Sequence, residues 1–302
     1  MNKVVKIILI IAACMIPVGI IIAFIGISLG GKFGWSLRYS DGSTKVGTSA
    51  VEQEQALDDF EALKIDVSTA DVTIIRGDKF SISYKTREGE EPKISQDGVT
   101  LTVKQPSAGF VMFDFGVSKG MNAYTITVPE SATPIDVDIK TSSGDLTVDR
   151  VNVTGRIESS TGDVDLNDTE GTMLEIKTST GDVNGDKVKT GVCSFGSSTG
   201  DINMLRLFAE DVSCETSTGD IDINNSEVGK LYINSSTGEA SIGLNGKPDA
   251  YSYDISSNTG DITINGEEFE KKYINDNGGD MKIQVHTSTG DIDVSVGDVA
   301  SK

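Results

Sequence analysis

"SSTGDVDL", residues Ser159 to Leu166, holds a Ser-Thr-Gly-Asp tetrapeptide followed by Val-Asp-Leu, and close copies of it recur through the second half of the chain. Aligned on their glycines, the copies stand at Gly144, Gly162, Gly181, Gly200, Gly219, Gly238, Gly260, Gly279 and Gly290, in steps of 18, 19, 19, 19, 19, 22, 19 and 11 residues. A step this constant is the signature of a repeat architecture. Apolar residues alternate on both sides of each glycine: Leu174 and Ile176 lie seven and five before Gly181, and Ile202 and Met204 lie two and four after Gly200. Period two on either side of a turn means two short strands, each with one dry face. The glycine supplies the positive φ of the bend, and the flanking Ser, Thr and Asp can bond the local backbone.

One such bent strand pair cannot bury its apolar face alone, but stacking on the next copy does so. The spacing therefore predicts an all-β fold: a single-stranded β-solenoid with coils of about 19 residues, in which equivalent residues lie about 4.8 Å apart along the axis. The tetrapeptide is the corner of each coil. An antiparallel sandwich is the competing fold, but its hairpins would not repeat one corner at one spacing. The 22-residue step implies an insertion near Lys247-Pro248-Asp249, and the 11-residue step a shortened terminal coil or capping hairpin. Residues 56–135 share the strand character without the strict period, with Ser68-Thr69-Ala70-Asp71 as a degenerate corner, and read as an irregular cap of the regular repeats over 136–302.

Upstream of the repeats the chain changes character. From Ile7 to Leu29 run 23 uncharged, mostly apolar residues, long enough to cross a hydrocarbon core of about 30 Å. The expected layout is a cytoplasmic tail over 1–6, a transmembrane signal-anchor helix over 7–30 and a polar linker over 31–55, with the repeat domain outside the cell membrane. Lipidation at Cys14, within a lipobox-like Ile-Ala-Ala-Cys, and a cleaved signal are the alternatives.

Overall charge narrows the partners. A formal charge of −20 over 302 residues repels phosphate backbones, so nucleic acid is excluded as a partner, whereas cations are attracted. Asp163, Asp165, Asp182, Asp201, Asp220 and Asp222 would stack into an oxygen-rich stripe suited to weak calcium sites. They serve equally as the wet face of a sheet, and the Gly-Gly-x-Gly-x-Asp repeats of calcium solenoids are absent from the sequence. No other cofactor is implied.

Cys193 and Cys214 occupy apolar positions of consecutive coils, offset by two residues, which leaves their Cα atoms about 8 Å apart and predicts two free, buried thiols. His286, the chain's single histidine, faces outward with no partner motif, so no catalytic residue is assigned. In "GFVMFDFGVSKG", Gly109 to Gly120, the residues Phe110, Phe113 and Phe115 concentrate apolar area; they are candidates for contact with a partner or the bilayer, or form one more strand packed under the cap.

"KIDVSTADVTI", "YTITVPES" leading into "TSSGDLTV", and the repeated Ser-Thr-Gly-Asp corners resemble the bacterial putative-adhesin family of β-strand-repeat proteins, over about residues 60 to 295. Some of its members belong to Lia-type cell-envelope stress operons. The resemblance implies a surface-displayed β-solenoid and offers no catalytic residues. Together these readings predict a single-pass envelope protein that binds an envelope protein or surface ligand, as an adhesin or as a stress sensor or scaffold. A carbohydrate-active β-helix enzyme, a calcium-binding structural surface protein and an intracellular scaffold of reversed topology are the alternatives.

Overall fold

The computed structural model describes residues 35–40, 43–47, 50–87, 90–106, 110–115, 122–132 and 134–297. The transmembrane expectation over 7–30 and the tail before it lie outside these residues, as does Cys14. Among the described residues no helix is long and apolar enough to cross a membrane.

Two compact units divide the chain, one of residues 1–50, 87–89 and 107–121, the other of 51–86, 90–106 and 122–302. In the first, strand Trp35–Ser40 pairs antiparallel with Ser43–Gly47 on one side and Phe110–Phe115 on the other. This corrects the polar linker expected over 31–55, which instead supplies strands, Ala50–Ala56 included. The polar composition hides these strands because one partner strand, Phe110–Phe115, is far away in sequence, beyond the reach of local periodicity.

The second unit is a stack of parallel coils. Strands before each corner pair with their counterparts one repeat on, as Leu174 with Cys193, Cys193 with Val212 and Val212 with Leu231. Those after the corner do likewise, as Val164 with Val183, Ile202 and then Ile221. Stacking one side chain on its equivalent buries the apolar columns almost completely: Leu166, Ile176, Val183, Phe195, Ile202, Ile221 and Ile233 are all at 0% exposure. The coils also have a third, shorter face, entered at a residue with left-handed backbone. Arg150, Asp168, Lys187, Arg206 and Asn225, each six after a corner glycine, have φ between 49° and 57°. The next residue turns inward, and Val151, Thr169, Val188, Leu207 and Ser226 are 0–3% exposed.

Layer order departs from sequence order at both ends. Strands Ala62–Val67 and Asp71–Gly77, with Ala70 at their corner, stack between the Gly144 coil and an outermost layer made of Thr100–Lys104 and Ala123–Pro129. At the other end the Gly290 coil, Met281–Thr289 and Ile292–Val296, lies between the Gly238 and Gly260 coils. The insertion read near Lys247 is a short 3₁₀ turn, Pro248–Ala250, that lets the chain skip this layer. Each outermost layer is closed by antiparallel strands: Ser81–Arg87 and Lys93–Asp97 at one end, Glu267–Phe269 and Lys272–Asn275 at the other.

Gly279 is therefore not a corner. It lies in a loop after the capping strands, where Asp276 Oδ1 accepts the Gly278 N–H at 2.9 Å and Asn277 Oδ1 accepts the Gly279 N–H at 2.8 Å. The 30 residues between Gly260 and Gly290 hold a cap, and their division into 19 and 11 is a coincidence of spacing. Residues 281–296 supply the two strands around the Gly290 corner, and the capping strands lie before them in the chain.

Candidate interaction surface

The corners set the geometry of everything around them. At Gly200 φ is +147°, and a Cβ placed there would lie 2.1 Å from the carbonyl oxygen of Gly181 in the layer below. Corner backbones thus touch directly, in the order Ala70, Gly144, Gly162, Gly181, Gly200, Gly219, Gly238, Gly290, Gly260. That contact aligns the following aspartates in one column. The Asp182 N–H donates to Asp163 Oδ1, that of Asp201 to Asp182 and that of Asp220 to Asp201, each at 2.8 Å. Charge-assisted bonds of this kind offset the repulsion of stacked carboxylates, which at about 4.8 Å is only about 0.9 kcal/mol in water.

Two residues further on a second column runs beside the first. Asn184 Nδ2 donates to Asp165 Oδ1 at 3.0 Å and Asn203 Nδ2 to Asn184 Oδ1 at 3.1 Å, with Asp222 next in register. The six aspartates of the expected calcium stripe therefore lie in two columns, with oxygens engaged by amide N–H groups. Among the described residues no His, Cys, Asp or Glu cluster of three or more could hold a metal ion.

On the other side of the corners the sheet bends into a groove, a concavity of about 760 Å³. It runs over a buried hydroxyl column, Thr141, Ser159, Thr178, Ser197 and Thr216, with the exposed serines Ser142, Ser160, Ser179, Ser198, Ser217 and Ser236 along one side and a wall of Lys140, Glu158, Lys177 and Glu215 along the other. In the middle layers these inward hydroxyls hold the corner below: Thr178 Oγ1 donates to the Gly162 carbonyl at 3.3 Å, Ser197 Oγ to that of Gly181 at 3.1 Å and Thr216 Oγ1 to that of Gly200 at 3.3 Å.

Wall charges alternate in both directions. Along one column stand Asp66, Lys140, Glu158 and Lys177, and along its neighbour Lys64, Asp138, Arg156 and Glu175, so within these four layers each neighbour above, below or beside is of opposite charge. Lys140 Nζ lies 3.1 Å from Glu158 and Lys177 Nζ 2.7 Å from Glu175, while Arg156 bridges Glu158 and Glu175. The bond from Lys177 holds the Glu175 carboxyl below its ordinary range, against a smaller opposing effect of burial. Each exposed pair contributes little, but a slip by one layer would oppose like charges throughout, so the checkerboard specifies register. Beyond Gly196 the wall becomes largely uncharged.

Cys193 and Cys214 are free and buried, with Val212 as the register partner of Cys193 and Phe195 as that of Cys214. Burial pushes the Cys193 thiol up to about 12, and burial with the neighbouring Cys193 raises Cys214 as well, so neither is a nucleophile near neutrality. His286 does have a partner: its Nδ1 lies 2.8 Å from Ser256 Oγ in the adjoining layer, and its ring meets Tyr232 edge-on at 6.5 Å. Position alone concealed this contact, because the two coils adjoin out of sequence order. Sequence reasoning also missed several exposed apolar residues, Phe208 on the third face and Met173, Val192 and Leu205 at the ends of the neighbouring faces. The side chains of Phe110, Phe113 and Phe115 lie outside the described residues, and their strand pairs with Trp35–Tyr39.

A repeating parallel coil with aligned glycine corners defines a β-solenoid displaying long polar columns. The Toastrack DUF4097 family model matches residues 60–295, and the chain belongs to that family. Similar solved structures include a putative adhesin from Bacteroides fragilis, 13% identical, with 82% of this chain and 97% of that one covered and a TM-score of 0.50. Another is a putative adhesin from Parabacteroides merdae, 14% identical, covering 82% of this chain and 95% of that one, also with a TM-score of 0.50. At these identities the likeness establishes the fold. No curated protein matches the chain.

Proposed function

We propose that the chain is a membrane-anchored surface protein that acts by binding, as an adhesin or as an envelope-stress sensor or scaffold, with the solenoid outside the cell. The observation that carries this reading is the groove. Hydroxyls repeat along it layer after layer and alternating charges along its first four layers, which suits an extended ligand meeting many equivalent contacts and does not concentrate reactive groups at one point. The adhesin descriptions of the similar structures agree with it.

The test uses intact cells carrying the full chain. A photocrosslinking residue at Ser198, in the groove, should capture a specific partner, and one at Asn203, on the far side of the corner, should not. Equal capture from both positions would remove the groove from the proposal. Protease added outside should cleave the solenoid only if it is displayed there; full protection would favour the reversed topology.

A further inference from the structure

Leu29, the last residue of the uncharged run, precedes Trp35 by six residues, a span of at most about 22 Å. Trp35 opens the central strand of the three-stranded sheet. Register places Trp35 opposite Phe115, Leu37 opposite Phe113 and Tyr39 opposite Phe110. Cross-strand partners share a face, and successive residues alternate between faces. In a regular strand Phe110 would fall on the face opposite Phe113 and Phe115. The register shift between Leu37 and Arg38 takes up one extra residue of the partner strand and brings all three phenylalanines to one face. The other face holds Ser36 with Asp114, and Arg38 with Val111 and Lys45.

A three-stranded sheet with one aromatic face is marginal unless that face is covered. We propose that the cover is the lipid bilayer: the sheet lies on the outer interface of the membrane with Trp35, Leu37, Tyr39, Phe110, Phe113 and Phe115 toward the lipid. Trp and Tyr are the residues that settle at that depth, the short tether holds the sheet there, and the charged residues fall on the face left in water. The bulge is the device that makes the sheet amphipathic. This inference rests on the proposal that residues 7–29 span the membrane.

The chain has a single tryptophan, so the face can be probed directly. In full-length protein reconstituted into phosphatidylcholine vesicles, the double variant Trp35→Phe, Phe113→Trp moves the probe to the strand remote in sequence from the span. Its emission should fall at least twofold with lipids brominated high on the acyl chain and resist aqueous acrylamide. Phe115→Trp in the same background should repeat that pattern, which guards against one variant misfolding, while Val111→Trp on the other face should be quenched by acrylamide. Quenching at 113 and 115 by acrylamide alone, or shielding from both quenchers as under a protein cover, would overturn the proposal. Flotation with the vesicles reports on the span separately: a chain that floats without lipid quenching defeats this inference only, and one that fails to float defeats the anchor with it.

Discussion

Gly200 and Gly185 are two glycines of one repeat with opposite reasons for lacking a side chain. At Gly200 the backbone is left-handed and the added Cβ would strike the Gly181 carbonyl, a rigid neighbour, so Gly200→Ala should cost about 3 kcal/mol or more in urea denaturation. At Gly185, an apolar position of the coil, the Cβ would meet Met204 Sδ at 2.5 Å. Methionine yields, so Gly185→Ala should cost about 1 kcal/mol and should be non-additive with Met204→Ala. The aspartate column permits a similar contrast. Asp182→Ala removes the acceptor of the Asp201 N–H and should destabilise by about 1.5 kcal/mol, whereas Asp182→Asn keeps an oxygen in place and should stay within about 0.5 kcal/mol. Equal losses from the two would mean that charge, and not the bond, is what the column uses. The corner was legible in the sequence because glycine with aspartate advertises a bend. The left-handed residues six positions on were not, because Arg150, Lys187 and Arg206 are not residues that announce such a backbone.

Single elements show where periodicity stops informing. Alternation around each corner exposed two of the three faces of a coil; the third carries Thr169 and Ser226 among its inward residues, whose hydroxyls donate to the Asn167 and Asn224 carbonyls at 3.1 and 2.9 Å. Buried hydroxyls satisfied by the backbone look polar to a pattern search, so the face was invisible. The capping strands on the Gly260 coil, Glu267–Phe269 and Lys272–Asn275, are hidden for a different reason: they pair antiparallel and need no repeat. Their composition fits a blunted edge, with Glu267, Glu268 and Glu270 followed by Lys271 and Lys272, and with strands of three and four residues. Replacing both Glu268 and Lys272 by valine should leave the fold intact by circular dichroism and raise concentration-dependent association in light scattering. If scattering does not change, the edge is shielded by something other than these charges.

At the scale of the whole molecule, the uniform 19-residue middle follows from sequence alone, since each coil buries its columns on the coils adjacent in the chain. The ends do not, because there the chain lays one coil on the outside and then returns to fill the gap. Ile283 and Val285 pair with Leu231 and Ile233 on one side and with Tyr253 and Ile255 on the other. The segment 281–296 is thus an interior layer, and the Gly260 coil is joined to the stack by strand pairing only through it, with the Tyr251 hydroxyl donating to the Val228 carbonyl at 2.8 Å as a side-chain contact past it. A chain truncated after Asn277 would keep the Gly260 coil and its cap but leave them without the layer on which they rest. Amides of residues 251–264 should then exchange rapidly with deuterium, while those of 183–225 keep their protection, because nearest-neighbour stacking confines the loss to the adjoining layers. Protection of 251–264 in that truncated chain would require the Gly260 coil to dock directly on the Gly238 coil, making the intercalated layer dispensable and the order of the stack a choice between two near-equal arrangements.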